Sequence, residues 1–306
     1  MQDIVFGPII SRRFGISLGI DLSPGGKQCN FDCLYCELIG KKAQMQMQEV
    51  LDLDKLIESV RYGLLKYPNI DVLTITANGE PTLYPYLYEF MIAIKPFIPK
   101  GVCTLILSNG SLFGKENIQK ALLLFDIVKF SLDSANEDSF KRIDRPYKNI
   151  LLSELLEGIR SFSSIYKGEL VAEVLLVGGI NDRSQDIRSI VDFLKSIHVD
   201  RIDLGSVDRP PAYNIEALSF EQLAQIAKEF EGMYVSLPSR KENSFSMNLH
   251  YSRENLIDFI ARRPVSLHES KNIFDEATLD LINKLCAQNK LFIRKVANLE
   301  FYTTKN

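Results

Sequence analysis

Six short apolar runs, at residues 16–22, 72–76, 102–108, 127–133, 170–177 and 201–207, are separated along the chain by segments that mostly carry helical spacing. Strands alternating with helices restrict the fold to right-handed βαβ units around a parallel sheet. The first run shows the strand period directly, with Ile16, Leu18, Ile20 and Leu22 alternating with small or polar residues. Between the first two runs, Leu53, Leu56, Ile57, Val60 and Leu64 form one apolar helical face, and Pro68 ends the pattern. Further helices are expected over 86–97, 115–125, 150–162 and 184–197. Ser219 and Gln222 have the spacing of a capping box opening a helix to about 230. Six such units fit an open twisted sheet or a partial barrel, and alternation alone does not choose between them.

The alternation stops near residue 211. Helical patterns at 252–262, 266–272 and 276–288 follow, the first ended by Arg263-Pro264 and the last capped by Asp275. Short strands at 291–294 and 299–302 close the chain. Three helices and a β-hairpin suggest a small α+β domain, winged-helix-like from about 250. The expected division is a core over 1–212 and a C-terminal extension over 213–306.

The N-terminal segment lacks the apolar core of a secretory signal, and no stretch has the length of a membrane span. The expectation is a soluble, cytoplasmic protein without membrane contact. A formal net charge of −3 supplies no general attraction for nucleic acid, although it leaves a local basic patch open.

Five cysteines are an odd number, and Cys29, Cys33 and Cys36 fall within eight residues, directly after the first expected strand. In α/β proteins that is where sites are built. Clustered thiols without a disulfide framework point to metal. A closed zinc site wants four ligands, but Cys103 and Cys286 are remote, and the three histidines, His198, His250 and His268, lie far along the chain. Three thiolates on a four-iron cluster leave one iron open, and an open position implies chemistry.

Later strand ends carry further polar groups. Asn78-Gly79-Glu80-Pro81-Thr82 follows the second run, and Gly79 permits close backbone approach to a ligand. Ser108-Asn109-Gly110 ends the third. On the fourth, period-two alternation puts Lys129, Ser131 and Asp133 on one face. Parallel strands are normally apolar on both faces, so this row lines an interior or marks a solvated edge strand. The same parity selects Thr74 and Thr76, Thr104 and Ser108, then Glu173 and finally Arg201 and Asp203. Together these residues imply a polar cavity. Lys129, Glu173, Asp203 and Arg209, the last in Asp208-Arg209-Pro210-Pro211, are the candidates for contact with substrate.

The Cx3CxxC spacing with Tyr35 before the last cysteine resembles the signature of the radical S-adenosylmethionine (SAM) superfamily. The resemblance implies a partial (β/α)6 TIM-like barrel and a 4Fe-4S cluster on Cys29, Cys33 and Cys36. It further implies SAM chelated by the open iron and an electron donor such as flavodoxin or ferredoxin. Reductive cleavage of SAM would yield a 5′-deoxyadenosyl radical that abstracts hydrogen from a substrate. Asn78, Gly79 and Glu80 are similar to the family's Gly-Gly-Glu motif, and Ser108 and Asn109 to its Thr-Asn-Gly. Ser131 matches its SAM-contacting serine, while Val177 lies on the strand expected under adenine. Tyr35 and Asp133 complete the expected SAM-binding set. Gly7-Pro8-Ile9-Ile10-Ser11-Arg12-Arg13-Phe14-Gly15, Val207-Asp208-Arg209-Pro210-Pro211 and Arg262-Arg263-Pro264 resemble the branch grouped with wybutosine-type tRNA-modifying enzymes. That resemblance makes a tRNA base one candidate substrate, with Arg262 and Arg263 as candidate phosphate contacts. The other reading is a cluster-containing redox sensor that binds nucleic acid through the winged helix.

Overall fold

A computed structural model describes residues 4–11, 13–238, 247–296 and 299–304. Arg12 of the N-terminal motif lies outside them. Eight strands form one sheet in chain order: β1 (Val5–Ser11), β2 (Gly15–Asp21), β3 (Val72–Thr76), β4 (Cys103–Ser108), β5 (Ile127–Ser131), β6 (Glu169–Leu176), β7 (Arg201–Ser206) and β8 (Val235–Ser236). Only β1 and β2 pair antiparallel; every later neighbour is parallel. An open doubly wound sheet reverses its strand order at a switch point. Here the order never reverses, so the sheet winds one way, as a partial barrel does.

The six expected strands correspond to β2 through β7. Ahead of them stands β1, which sequence periodicity missed because Pro8 sits inside it, a residue that sheets tolerate on edge strands. The helices α1 (Leu53–Lys66), α2 (Leu87–Ile94), α3 (Glu116–Leu122), α4 (Glu137–Ile143), α5 (Leu152–Ile165), α6 (Ser184–Lys195) and α7 (Phe220–Ile226) connect the strands. Local chemistry starts several of them. Asp52 caps α1 by accepting the Lys55 N–H at 3.0 Å, and Ser219 and Gln222 form the expected capping box on α7. Helix α4 was not expected; its signal was Asn136 as cap before Glu137 and Asp138.

The outward strand residues, among them Leu73, Ile75, Ile106, Val128, Phe130 and Leu204, pack with the helices into the main core. The inward residues Val72, Leu105, Ile127 and Val171 form a separate small cluster with Phe14. This corrects the expected parity of the third run. Leu105 and Leu107 point inward, whereas Thr104 is held by Asp126, whose carboxylate accepts its N–H at 2.7 Å and its hydroxyl at 2.8 Å. That run is apolar on both faces, so its period carries no sign of which side is interior.

The C-terminal region has its own core around Leu256, Phe259, Ile260, Phe274, Ile282 and Leu285. Its elements are α8 (Arg253–Arg262), β9 (Val265–Ser266), α9 (Leu267–Ile273), α10 (Glu276–Ala287), β10 (Phe292–Val296) and β11 (Leu299–Thr303), with sheet order β10-β11-β9. It is a distinct α+β region. It touches the barrel where Ile9 packs on its core, and Arg294 donates to the Pro211 carbonyl at 3.4 Å.

Candidate functional site

The segment that follows β2 is tied down on three sides. Asp21 accepts the Ser23 N–H at 2.8 Å and the Asn78 N–H at 2.9 Å on one oxygen. Gln28 then zips to the turn after β3: its N–H donates to Asn78 O at 2.7 Å and its carbonyl accepts the Glu80 N–H at 3.1 Å. This contact requires glycine at 79, where φ is +140° and a Cβ would meet Gln28 O at 1.9 Å. On the far side, Asp32 N–H donates to Asp144 O at 3.1 Å and Leu34 N–H to Ile143 O at 2.8 Å, at the C-terminal end of α4. The Asp32 carboxylate is the hub of the loop. It receives Lys27 Nζ at 3.0 Å, Lys41 N–H at 3.2 Å and Tyr213 Oη at 2.6 Å, and Arg145 Nη2 lies 3.2 Å away. Burial opposes its ionisation, but the hydrogen bonds from Tyr213 and Lys27 outweigh that and hold it below the usual range.

The fixed loop places Cys29, Cys33 and Cys36 on the wall of a cavity of about 200 Å³ at the C-terminal ends of the strands. Burial pushes the Cys29 thiol up to about 12 and raises Cys33 well above the ordinary thiol range. Such thiols ionise when positive charge arrives with a metal. Donors already address the sulfur of Cys29: the Phe31 N–H at 3.4 Å and Asn109 Nδ2 at 3.9 Å. Burial disfavours the Lys27 ammonium on the same wall, yet proximity to Cys36, Asp32 and Cys29 raises its pKa. Among the described residues, no three His, Cys, Asp or Glu side chains converge to hold a single metal ion. The three thiols instead share a cavity wall, a donor set suited to a multi-iron cluster.

Gly79, Glu80, Ser108, Asn109, Ser131, Lys129 and Glu173 also line this cavity. The Glu80 carboxylate is nevertheless a brace. One oxygen accepts Thr82 N–H at 3.0 Å, Thr82 Oγ1 at 2.6 Å and Ser108 Oγ at 2.8 Å, and the other accepts Asn109 N–H at 2.7 Å. It thereby locks the end of β3 to the end of β4. Lys129 lies 2.5 Å from Glu173 Oε1 and 3.1 Å from Asp203 Oδ2. Asp203 is buried behind it, 2.9 Å from Arg13 Nε and 3.0 Å from Arg201 Nε. The charged row therefore faces the barrel interior, and there it pairs with itself.

Besides Asp203, four expected site residues lie behind the cavity wall. Strand β5 ends at Ser131, so Asp133 leaves the row and instead accepts Tyr35 Oη at 2.5 Å and the Leu175 N–H at 2.8 Å. Burial pushes Asp133 up to about 7, and burial together with the neighbouring Asp133 charge raises Asp144 as well. Val177 is fully buried beside Tyr35 in an apolar cluster, and its N–H is taken by Asn181 Oδ1 at 2.8 Å. Asn78 holds the loop through its backbone rather than lining the cavity. Arg209 pairs with Glu37, the residue after Cys36, at 3.2 Å.

Sequence reasoning passed over Asp32, Asp144 and Asn181. For Asp144 a signal was present, because Asp144-Arg145-Pro146 repeats the Asp-Arg-Pro of residues 208–210. Both tripeptides sit beside the cysteine loop.

A partial α/β barrel with three thiols around a cavity at its C-terminal end is the architecture of one enzyme class. The chain belongs to the radical SAM superfamily, whose family model matches residues 24–194, and it is an enzyme of SAM-dependent radical chemistry. Membership implies a 4Fe-4S and SAM cofactor system. A UPF0026 protein of Helicobacter pylori (strain J99) is 49% identical over 301 residues, covering 98% of this chain and 97% of that protein. A UPF0026 protein of Methanocaldococcus jannaschii is 31% identical over 314 residues, covering 98% and 95%. Among solved structures, a radical SAM methyltransferase from Sphaerobacter thermophilus shares the fold with a TM-score of 0.55 at 14% identity, over 74% of this chain and 67% of that one. Among the described residues, no helix is long and apolar enough to cross a membrane.

Proposed function

We propose that Cys29, Cys33 and Cys36 hold a 4Fe-4S cluster and that SAM binds in the cavity beside it. The observation that carries this reading is the shared cavity wall: three thiols on one braced loop, faced by the glycine turn at 79. When bound, the cluster would supply the electron that cleaves SAM to a 5′-deoxyadenosyl radical, delivered to it by a donor of the flavodoxin or ferredoxin kind. The chain's own residues position and enclose. Gly79, on the turn zipped to Gln28, and Ser131 line the space for SAM, Asn109 addresses the sulfur of Cys29, and Tyr35 backs the cysteine loop. Lys129 and Glu173 face the remaining space and meet the substrate; Asp203 fixes Lys129 from behind, and Arg209 fixes Glu37. Anaerobically reconstituted, reduced protein should form 5′-deoxyadenosine from SAM. Replacement of any one of Cys29, Cys33 and Cys36 by alanine should abolish this, and a normal yield from Cys33→Ala would refute the assignment.

For the substrate, one feature favours RNA. Lys41, Lys42, Arg142, Arg145 and Lys148 are exposed beside the cysteine loop, and the Arg145 guanidinium covers the Tyr213 ring at 4.5 Å, a planar cation of the kind on which a base can stack. The order α8-β9-α9-α10-β10-β11 also supports a winged-helix reading of residues 250–306, within a division at 212/213. Bulk tRNA should bind in a filter assay with affinity falling steeply as salt rises, and Arg145→Glu with Lys148→Glu should weaken it. Salt-independent binding, or none, would remove RNA as the substrate. The redox-sensor reading has no comparable support, since the superfamily is one of enzymes.

A further inference from the structure

Two consecutive arginines at the end of α8 part around the cysteine loop. Arg262 Nη1 lies 3.1 Å from Asp21 Oδ2, where β2 ends and the loop begins, and Arg262 Nη2 lies 2.5 Å from Asp258 one turn earlier in α8. Arg263 turns the other way. It pairs with Glu269 and sits in the field of Arg209, whose own partner Glu37 directly follows Cys36. An exposed arginine pair at a helix end would be free to meet phosphate, as the sequence allowed. Here both guanidinium groups are turned inward onto carboxylates, with side chains only 11% and 14% exposed.

Asp21 explains why this matters. Its side chain is 2% exposed, and a carboxylate so far from water stays ionised only against a partner. Burial pushes Asp21 up, and Arg262 is the largest influence in the opposite direction. The oxygen that does not face Arg262 accepts the Ser23 and Asn78 N–H groups, and so joins the start of the cysteine loop to the turn that carries Gly79. Without the guanidinium, Asp21 either takes up a proton or rotates toward water. Both outcomes weaken the acceptor that holds the turn in place.

We propose that Arg262 is a positioning residue for SAM: through Asp21 it sets the Asn78-Gly79-Glu80 turn, so that the C-terminal region completes the cofactor site of the barrel. The proposal rests on the reading that SAM binds against this turn. It assigns the C-terminal region a role at the cofactor, separate from any role in holding substrate.

The test uses the full-length protein, reconstituted anaerobically and reduced, with the change in the cluster's electron paramagnetic resonance on adding SAM as readout. Arg262→Gln should keep the iron and sulfide content and the SAM-free spectrum of wild type. It should need roughly tenfold more SAM for half the spectral change, the usual scale for loss of an outer-shell partner. Arg262→Lys keeps a cation opposite Asp21 and should recover most of that loss. If Arg262→Gln fails to load its cluster, the double variant Asp21→Asn/Arg262→Gln decides, since it removes the buried charge along with its partner. A weakened SAM midpoint in a loaded double variant supports the proposal, and a wild-type midpoint overturns it. A wild-type midpoint in loaded Arg262→Gln likewise overturns the role of Arg262 while leaving the SAM site intact. Absence of any SAM-induced change in wild type would instead sink the reading of the cavity itself.

Discussion

The two ends of the barrel interior are built from the same strands and filled in opposite ways. At the N-terminal end, Val72, Leu105, Ile127 and Val171 close on Phe14, and Arg201 lies over that ring at 4.9 Å. Two residues further along each strand, about 7 Å, stand Thr74, Leu107, Lys129 and Glu173. The last three face the cavity. Between the ends lies a layer of charge in which Asp203 answers Lys129, Arg13 and Arg201 together. One end is a stopper whose worth is burial. The other is a mouth whose groups are held ready by partners behind them. Stability and chemistry are thus separated along the strand direction, as in other barrels with sites at the C-terminal face.

This contrast can be broken one end at a time. The largest effect is expected at the mouth: Cys33→Ala should lose 5′-deoxyadenosine formation entirely, with a cost of no more than about 1 kcal/mol in urea unfolding of the cluster-free protein. The next concerns pH. Asp133 is raised by burial to about 7 from an ordinary 3.8, so its contribution to stability is fully present below about pH 4 and lost as pH rises through about 7. Three units correspond to roughly 4 kcal/mol, so the thermal midpoint of cluster-free protein should fall over that range. Asp133→Asn should flatten the fall, and an unchanged slope would place the titrating group elsewhere. At the stopper, Phe14→Ala should cost about 2–3 kcal/mol, less than a fully buried phenylalanine because Phe14 is half-buried. SAM cleavage per folded molecule should stay within about twofold, an effect of the distance between the two ends. The smallest effect belongs to the layer between. Lys129→Met removes one cation, but Asp203 keeps two arginines and the Glu173 side chain is 41% exposed and can relax into water. A loss of about 1–2 kcal/mol is expected; a loss of about 4 kcal/mol would show that the layer, not the stopper, carries the barrel.

Much of this arrangement was legible without coordinates. The six parallel strands were visible because their periods are short, and the cysteine loop because its three thiols lie within eight residues. Gly79 was readable as a point of close approach, although what approaches it is Gln28 O as much as any ligand. Where signals were weak or shared, reading failed. Strand β1 was hidden by its proline, and the inward face of β4 by leucine and isoleucine on both sides. Asp133 was assigned to a strand row that in fact ends two residues earlier.

By itself the sequence determined the winding unit, the grouping of three thiols on one loop and the polar strand ends, since each depends on residues a few positions apart. Only the tertiary structure decided which charges meet. Lys129 finds Glu173 and Asp203 on two later strands, and Arg262 reaches Asp21 across a separation of 241 residues. No local period encodes such pairs, because an ion pair depends on distance in space and on exclusion from water. Both are set only once the C-terminal region has closed against the barrel.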